Sequence, residues 1–305
     1  MSGSLPFSFD KKFDDLSGYR TRSILAFPLK TPQNQILGVL QLINAKNNSN
    51  DVVSFSPEEE PYIMHFANTA AISLERAQMT REIILRMLRM AEMRDPKETG
   101  AHVNRVGAYA AVIYEEWAAK KGVPQPEIDK TKDVLRIAAM LHDVGKVAIS
   151  DTILKKPARL DAEEIVCMKN HTNLGAQLFA DAKSELDKAA YCIALEHHER
   201  WDGKGYPSYT AADGDSAHTD NRTASDIFTP KKGPAIHPFG RIVAVADVYD
   251  ALSSKRCYKE SWDEDKVLEN LQQEAGKQFD PEIVAAFFSG LDIIRNIREQ
   301  YPDES

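Results

Sequence analysis

The stretch RIVAVADVYDAL, Arg241 to Leu252, sets a condition that the rest of the chain has to meet. It reads as a helix running from Arg241 to Ser253, and apolar side chains flank Asp247 on both sides. A carboxylate carried into such surroundings without a partner is costly, because the interior cannot replace its hydration. A fold that buries this helix must therefore bring a cation to Asp247. A metal ion meets that condition, and the histidines show where its other ligands lie.

His142 stands in RIAAMLHDVGK, directly before Asp143, after the apolar run Ile137–Leu141 and ahead of Gly145. His171 falls inside a helix expected from Asp161 to Phe179, and His197 and His198 close one expected from Ala189 to Glu199. His102 follows Glu98 by four residues, which puts both on one helical face. Each feature alone has a plainer reading. Asp95, Pro96 and Glu98 make a capping box, His142–Asp143 resembles many solvated helix ends, and a lone histidine such as His171 is often just hydrogen-bonded. Adjacent helical side chains diverge by about 100°, so His142 and Asp143 share a cluster only if it lies against that helix end, where a carboxylate can bridge two ions. His65, His218 and His237 lack comparable settings. Taken together, the five histidines with Asp143, Asp247 and Glu98 point to a metal centre. Imidazole and carboxylate without thiolate suit Fe, Mn, Zn or Ni better than Ca or Mg. So many ligands exceed what one ion needs; two divalent ions follow, and a third if Glu98 joins. Cys167, Cys192 and Cys257 form no C-x-x-C pair and read as reduced packing residues.

A chain of 305 residues has room for two domains. Arg22 to Asn47 holds two strand-like runs around the polar turn KTPQNQ, a hairpin pattern. FSPEEE then offers Ser56 as N-cap, Pro57 at the first helical position and Glu59 to close a capping box. The helix expected from residue 57 to 93 would be about 55 Å long. Ile72, Leu74, Ile83, Ile84, Met87, Leu88 and Met90 give it an apolar stripe, which serves either a connecting helix or a two-chain seam. From RDPKETGAH onward the remaining patterns are helical: 103–120, 133–143, 161–179, 189–199, 241–253, 265–274 and 281–298. Thr210 to Lys232 is a long polar loop. The fold expected is mostly α, with an α+β segment over 1–78, a helical linker over 79–94 and an all-helical bundle over 95–305. A net charge of −8 argues against DNA or RNA polymers as partners. No run reaches membrane-spanning length and no signal peptide is evident, so no membrane partner and a cytoplasmic location are expected. G-x-x-x-x-G-K-[ST], G-x-G-x-x-G and H-E-x-x-H are all missing from the sequence.

Two resemblances add to this reading. GYRTRSILAFPLK, ILGVLQLINAKN and the FSPEEE helix resemble the C-terminal portion of a GAF domain. About half of such a domain is covered, so the usual pocket is expected to be incomplete and no ligand is assigned to it. RDPKETGAHVNRV, LHDVGK, KNHTNLGAQL, EHHERWDGKGYP and RIVAVADVYDALSSKRCYK resemble the HD-GYP family, a branch of the HD phosphohydrolase superfamily. That resemblance implies an HD-type helical bundle and a bacterial signalling phosphodiesterase with two or three divalent ions, iron or manganese ahead of zinc or nickel. Its substrate would be cyclic di-GMP or a mixed cyclic GMP-AMP, and its product the linear dinucleotide, mononucleotides or both. By matching position it implies His102, His142, Asp143, His171, His197, His198 and Asp247 as ligands, with Asp143 bridging and Glu98 completing a third site. Lys146 would neutralise developing charge or protonate the leaving 3′-oxygen, its plainer reading being a surface lysine. Gly205, Tyr206, Asp250, Arg256 and Lys259 are the substrate contacts implied. Gly203 and Gly205 would let backbone approach the ligand, and Tyr206 would offer a face to guanine. Arg256 and Lys259 could equally cap a helix end. The departure is Ser208 to Pro238, longer than the connection in the family. Two other readings stay open: a cyclic dinucleotide receptor without catalysis, and a di-iron oxygen-activating enzyme of the wider superfamily. The intact ligands with Lys146 weigh against the first, the GYP loop and its cations against the second. A homodimer through residues 57–93 is also expected.

Overall fold

A computed structural model describes residues 12–92, 94, 100–209, 229–254 and 261–302. The expectations for Glu98, Arg256 and Lys259, and for most of the long loop (210–228), lie outside the described residues. The chain divides into two compact units, residues 1–85 and 86–305. Among the described residues no helix is long and apolar enough to cross a membrane.

In the first unit a short helix, α1 (Lys12–Ser17), precedes β1 (Ile24–Lys30) and β2 (Ile36–Ile43). The two strands pair antiparallel, Ile24 opposite Ile43 and Phe27 opposite Leu40, with a bulge between Leu29 and Lys30. The polar turn between them is the one expected, and Asn34 takes its left-handed position at φ 66°. A second ladder, β3 (Ala45–Lys46) with β4 (Val52–Val53), follows. One contact of the expected capping box forms, Glu59 Oε2 accepting from the Ser56 N–H at 2.9 Å, while Ser56 Oγ accepts from the Glu58 N–H at 3.2 Å, one residue before Glu59. The regular helix, α2 (Glu60–Glu92), nevertheless starts three residues later than expected. A helix begun at Pro57 would require an N–H from residue 61, which is proline; in α2 that proline falls in the first turn, where no such donor is needed.

The second unit is built around α3 (Gly100–Lys120), which packs on α4 (Gln125–Met140). Then come a 3-10 turn (Val144–Ala148), α5 (Asp151–Leu154), α6 (Ala162–Lys169), α7 (His171–Gln177) and α8 (Glu185–Glu196). A two-residue ladder, β5 (Ser208–Tyr209) with β6 (Thr229–Pro230), and a second 3-10 turn (Gly233–Ala235) lead to α9 (Pro238–Ser253). α10 (Glu264–Gln273), α11 (Pro281–Ser289) and α12 (Leu291–Gln300) complete the bundle. α3 also packs on α9, α11 and α12, and α8 packs on α4, α7 and α9. Their shared core is aromatic and aliphatic. Tyr249 lies edge-on to Tyr109 at 5.4 Å and to Phe287 at 4.9 Å, among fully buried Ile113, Leu135, Ile193 and Ile242.

The larger differences from the sequence reading lie in four of the expected helices. α4 begins eight residues before Asp133, because its polar first half carries no apolar period but is opened by Pro124 and Pro126. It stops at Met140, leaving His142 and Asp143 in the turn beyond. The single helix expected over 161–179 starts on the Asp161–Glu164 capping box but breaks at Asn170 into α6 and α7. α8 starts at Glu185, under a second capping box from Ser184 and Asp187. The last expected helix breaks at Gly290 into α11 and α12.

Candidate metal centre

Seven of the eight ligands expected from the sequence converge in the second unit as two groups. Asp143, His171, His197 and His198 form one, and His102, His142 and Asp247 the other, each with its ligand atoms within 4.8 Å of one another. α3 supplies His102 and α9 supplies Asp247. The other five lie at helix ends: His142 and Asp143 just past α4, His171 just past α6, and His197 and His198 just past α8. Gly145 brings the turn after α4 against the start of α7. A Cβ there would lie 1.9 Å from the His171 carbonyl oxygen and 2.4 Å from the Gly175 nitrogen, so only glycine permits the crossing.

Position past a helix end also fixes how the imidazoles face. His142 Nδ1 lies 2.8 Å from the Ala139 carbonyl, His171 Nδ1 2.8 Å from that of Met168, and His197 Nδ1 2.9 Å from that of Ile193. A carbonyl only accepts, so each Nδ1 carries the proton and each Nε2 turns a lone pair inward. These inward nitrogens meet carboxylate oxygens. His171 Nε2 and His197 Nε2 stand 3.0 and 3.5 Å from Asp143 Oδ1, and His142 Nε2 stands 3.4 Å from Asp143 Oδ2. The His171 and His197 Nε2 atoms are fully buried and make no hydrogen bond. Burial holds the His197 pKa below its ordinary value and that of His198 well below it, so both rings are neutral. Lone pairs directed at a carboxylate repel it unless a cation lies between them. The donor set therefore fits divalent metal ions, and the imidazole–carboxylate chemistry excludes none of Fe, Mn, Zn or Ni.

His102 is held differently. Its Nδ1 lies 2.8 Å from Asp250 Oδ2, and its Nε2 points inward, 3.6 Å from Asp247 Oδ1. Asp250 is 1% exposed and receives Arg105 Nε on Oδ1 at 2.6 Å and Arg105 Nη2 on Oδ2 at 2.8 Å. Burial would raise its pKa, but the hydrogen bonds from Arg105 and His102 outweigh that and hold it at about 2. This corrects the expectation that Asp250 touches substrate: its oxygens are engaged inside the fold, where they orient His102. Arg105, 2% exposed, also donates to Tyr301 O and Ser254 Oγ. It escaped the sequence reading although it follows His102 by three residues, on the same helical face.

The remaining residues lie at the rim. Lys146 Nζ is 2.6 Å from Asp143 Oδ2. Tyr206 stacks on His198, centroids 4.7 Å apart, and burial raises its hydroxyl pKa. The Tyr206 N–H donates to the His198 carbonyl, so the loop folds back on the histidine pair. Gly205 has a local reason for lacking a side chain: a Cβ would come within 2.4 Å of the Arg200 nitrogen. Gly203, at φ 79°, packs beside Lys232. Glu196, the last residue of α8, is buried and binds Lys231 Nζ at 2.7 Å and the His237 N–H at 2.5 Å. It thereby ties the segment that leads into α9 to the helix that ends at the histidine pair.

Residues 99–252 match the family model of the HD domain. Over 232 residues the chain is 36% identical to the 3'3'-cGAMP-specific phosphodiesterase 2 of Vibrio cholerae, covering 76% of this chain and 39% of that protein. It is 34% identical over 308 residues to a cyclic di-GMP phosphodiesterase of the same organism, with 95% and 58% covered. To the cyclic di-GMP phosphodiesterase response regulator RpfG of Xanthomonas campestris pv. campestris it is 36% identical over 231 residues, with 76% and 53% covered. The chain thus spans between 39% and 58% of the length of these relatives. The family match begins at residue 99 and does not reach the segment that resembles a GAF domain.

Proposed function

The chain belongs to the HD-domain family, and from that premise we propose that it is a metal-dependent phosphodiesterase that opens a cyclic dinucleotide, cyclic di-GMP or 3'3'-cGAMP. The observation that carries this reading is the inward orientation of four imidazole Nε2 atoms around two carboxylates. His102, His142 and Asp247 would hold one ion, and His171, His197 and His198 another. Asp143 would bridge, since Oδ1 faces His171 and His197 while Oδ2 faces His142. Divalent ions held there, iron or manganese for preference, supply the Lewis acidity that makes water nucleophilic near neutral pH. A third ion would require Glu98.

The chain's own part is to position and to supply protons. Lys146 is anchored by Asp143 at the edge of the centre, where its Nζ can neutralise a phosphoryl oxygen or protonate the departing 3′-oxygen. Tyr206 forms the wall beside His198, and the GYP turn that carries Gly205 keeps that wall in place. Arg256 and Lys259 would add positive charge for the substrate's phosphates.

The test is turnover of both cyclic dinucleotides by protein loaded with Mn(II) or Fe(II), with products separated chromatographically. Linear dinucleotide or mononucleotide is expected from the wild type, and none from His142→Ala or Asp143→Ala. Full rates in those variants refute the proposal. Tight binding without product would make the chain a receptor, and oxygen uptake with a non-phosphate substrate would make it an oxygenase.

The exposed side chains Ile72, Met79, Ile83, Met87 and Met90 run along α2. Such a stripe is suited to a second copy of the chain, and the functional unit we propose is a dimer joined through α2. Sedimentation of Ile83→Glu is expected to show monomer where the wild type sediments as dimer.

A further inference from the structure

We propose that Lys169 holds the second, non-reacting phosphate of the cyclic dinucleotide, and so favours that substrate over a simple diester. This inference rests on the phosphodiesterase reading above. A cyclic dinucleotide carries two phosphates; only the one being cleaved can occupy the metal centre, and the other must be met by charge at its rim. In a chain of net charge −8 that charge has to be local.

Lys169 is the last residue of α6, and the break at Asn170 separates it from His171, which enters the centre. The backbone thus sends His171 inward, 2% exposed, while Lys169 stays at the surface. Its Nζ lies 4.9 Å from the centroid of the Tyr206 ring. Tyr206 in turn stacks on the ligand His198, at 4.7 Å and 30°, with its centroid 6.4 Å from that of His171. The ammonium is therefore two rings from the metal-binding nitrogens, close enough to serve the same ligand and too far to be a metal's neighbour.

Its electrostatic situation separates it from three lysines that meet carboxylates. Lys146 is engaged by Asp143 at 2.6 Å, Lys156 by Glu164 at 2.6 Å and Lys231 by Glu196 at 2.7 Å. Among the described residues Lys169 has an aromatic face as its partner and no carboxylate. An exposed contact between a cation and a ring is weak, and it leaves the ammonium's donors open to a phosphate oxygen. The ring places the charge without neutralising it.

The experiment compares wild type, Lys169→Gln and Lys169→Arg, all metal-loaded, on a cyclic dinucleotide and on bis(p-nitrophenyl) phosphate, which has a single phosphate. Lys169→Gln is expected to raise KM for the cyclic dinucleotide about tenfold, the loss of one charge-assisted hydrogen bond, with kcat little changed. Lys169→Arg should recover most of that loss. Kinetics on bis(p-nitrophenyl) phosphate and metal content per chain should be the same in all three proteins. An unchanged KM for the cyclic dinucleotide in Lys169→Gln overturns this proposal alone. Equal losses on both substrates also overturn it, since they mark damage to the centre as a whole. A wild type that cleaves neither cyclic dinucleotide overturns the substrate reading, and this inference with it.

Discussion

Replacing Arg105 with leucine separates two roles that the buried ion pair performs together. In the wild type, Arg105 donates to both oxygens of Asp250, at 2.6 and 2.8 Å, and neither residue is more than 2% exposed. Arg105→Leu leaves that carboxylate buried without its cation, and losses of this kind amount to about 3–5 kcal/mol. The pH dependence provides an internal check. With its pKa held at about 2, below the ordinary 3.8, Asp250 contributes stability that is present above pH 3.8 and lost as pH falls through about 2. In the variant burial raises that pKa, the carboxyl takes up a proton at a higher pH, and the deficit narrows as pH is lowered from neutrality. Arg105→Leu with Asp250→Leu removes both charges, and should recover at least about 2 kcal/mol of the single variant's loss. The double variant nevertheless deprives His102 Nδ1 of its acceptor, which should weaken metal binding roughly 10- to 100-fold. Urea unfolding of chelator-treated protein measures the first effect, and calorimetric titration with Mn(II) the second. Stability recovered with metal affinity lost is the expected outcome. A cost below about 1 kcal/mol for Arg105→Leu, or undiminished Mn(II) affinity in the double variant, refutes the reasoning.

Two further perturbations test the packing beside the centre. Gly145→Ala would set a methyl group 1.9 Å from the His171 carbonyl oxygen, where backbone cannot yield cheaply; a loss of about 3 kcal/mol in urea unfolding is expected, with less metal bound per chain, and wild-type values for both would show that the turn can move aside. Glu199 is 3% exposed, and burial pushes its carboxyl pKa up to about 8. The folded chain thus keeps a proton that the unfolded chain releases near pH 4.5, so the stability it contributes is complete below 4.5 and is lost as pH rises through about 8. Glu199→Gln, neutral throughout, should match the metal-free wild type at pH values near that lower limit and exceed it above the upper one. Parallel stability curves across the range would show that Glu199 is not protonated in the fold.

The same geometry shows why part of the centre was legible in the sequence and part was not. Asp247 and Asp250 lie three residues apart on one apolar helix, and the cost of burying a charge applies to both. What separates them is the imidazole of His102, whose Nε2 faces Asp247 and whose Nδ1 faces Asp250. Nothing local to either aspartate tells which side of that ring it will meet, and the arginine that completes the pair lies 145 residues away. Lys169 was invisible for the opposite reason, since an exposed lysine at a helix end has nothing in sequence to distinguish it. The break at Asn170 likewise carries neither glycine nor proline, whereas the break at Gly290 and the capping box at Ser184 had ordinary signals that an apolar period alone passes over. The histidine cluster was legible because most of its geometry is local. A histidine one or two residues past a helix end can reach the carbonyl three or four residues back, and that contact protonates Nδ1 and aims Nε2 away from the helix. For His142, His171 and His197 the chain therefore needs only to end a helix in the right place to prepare a metal ligand, and tertiary packing has only to bring three such ends together.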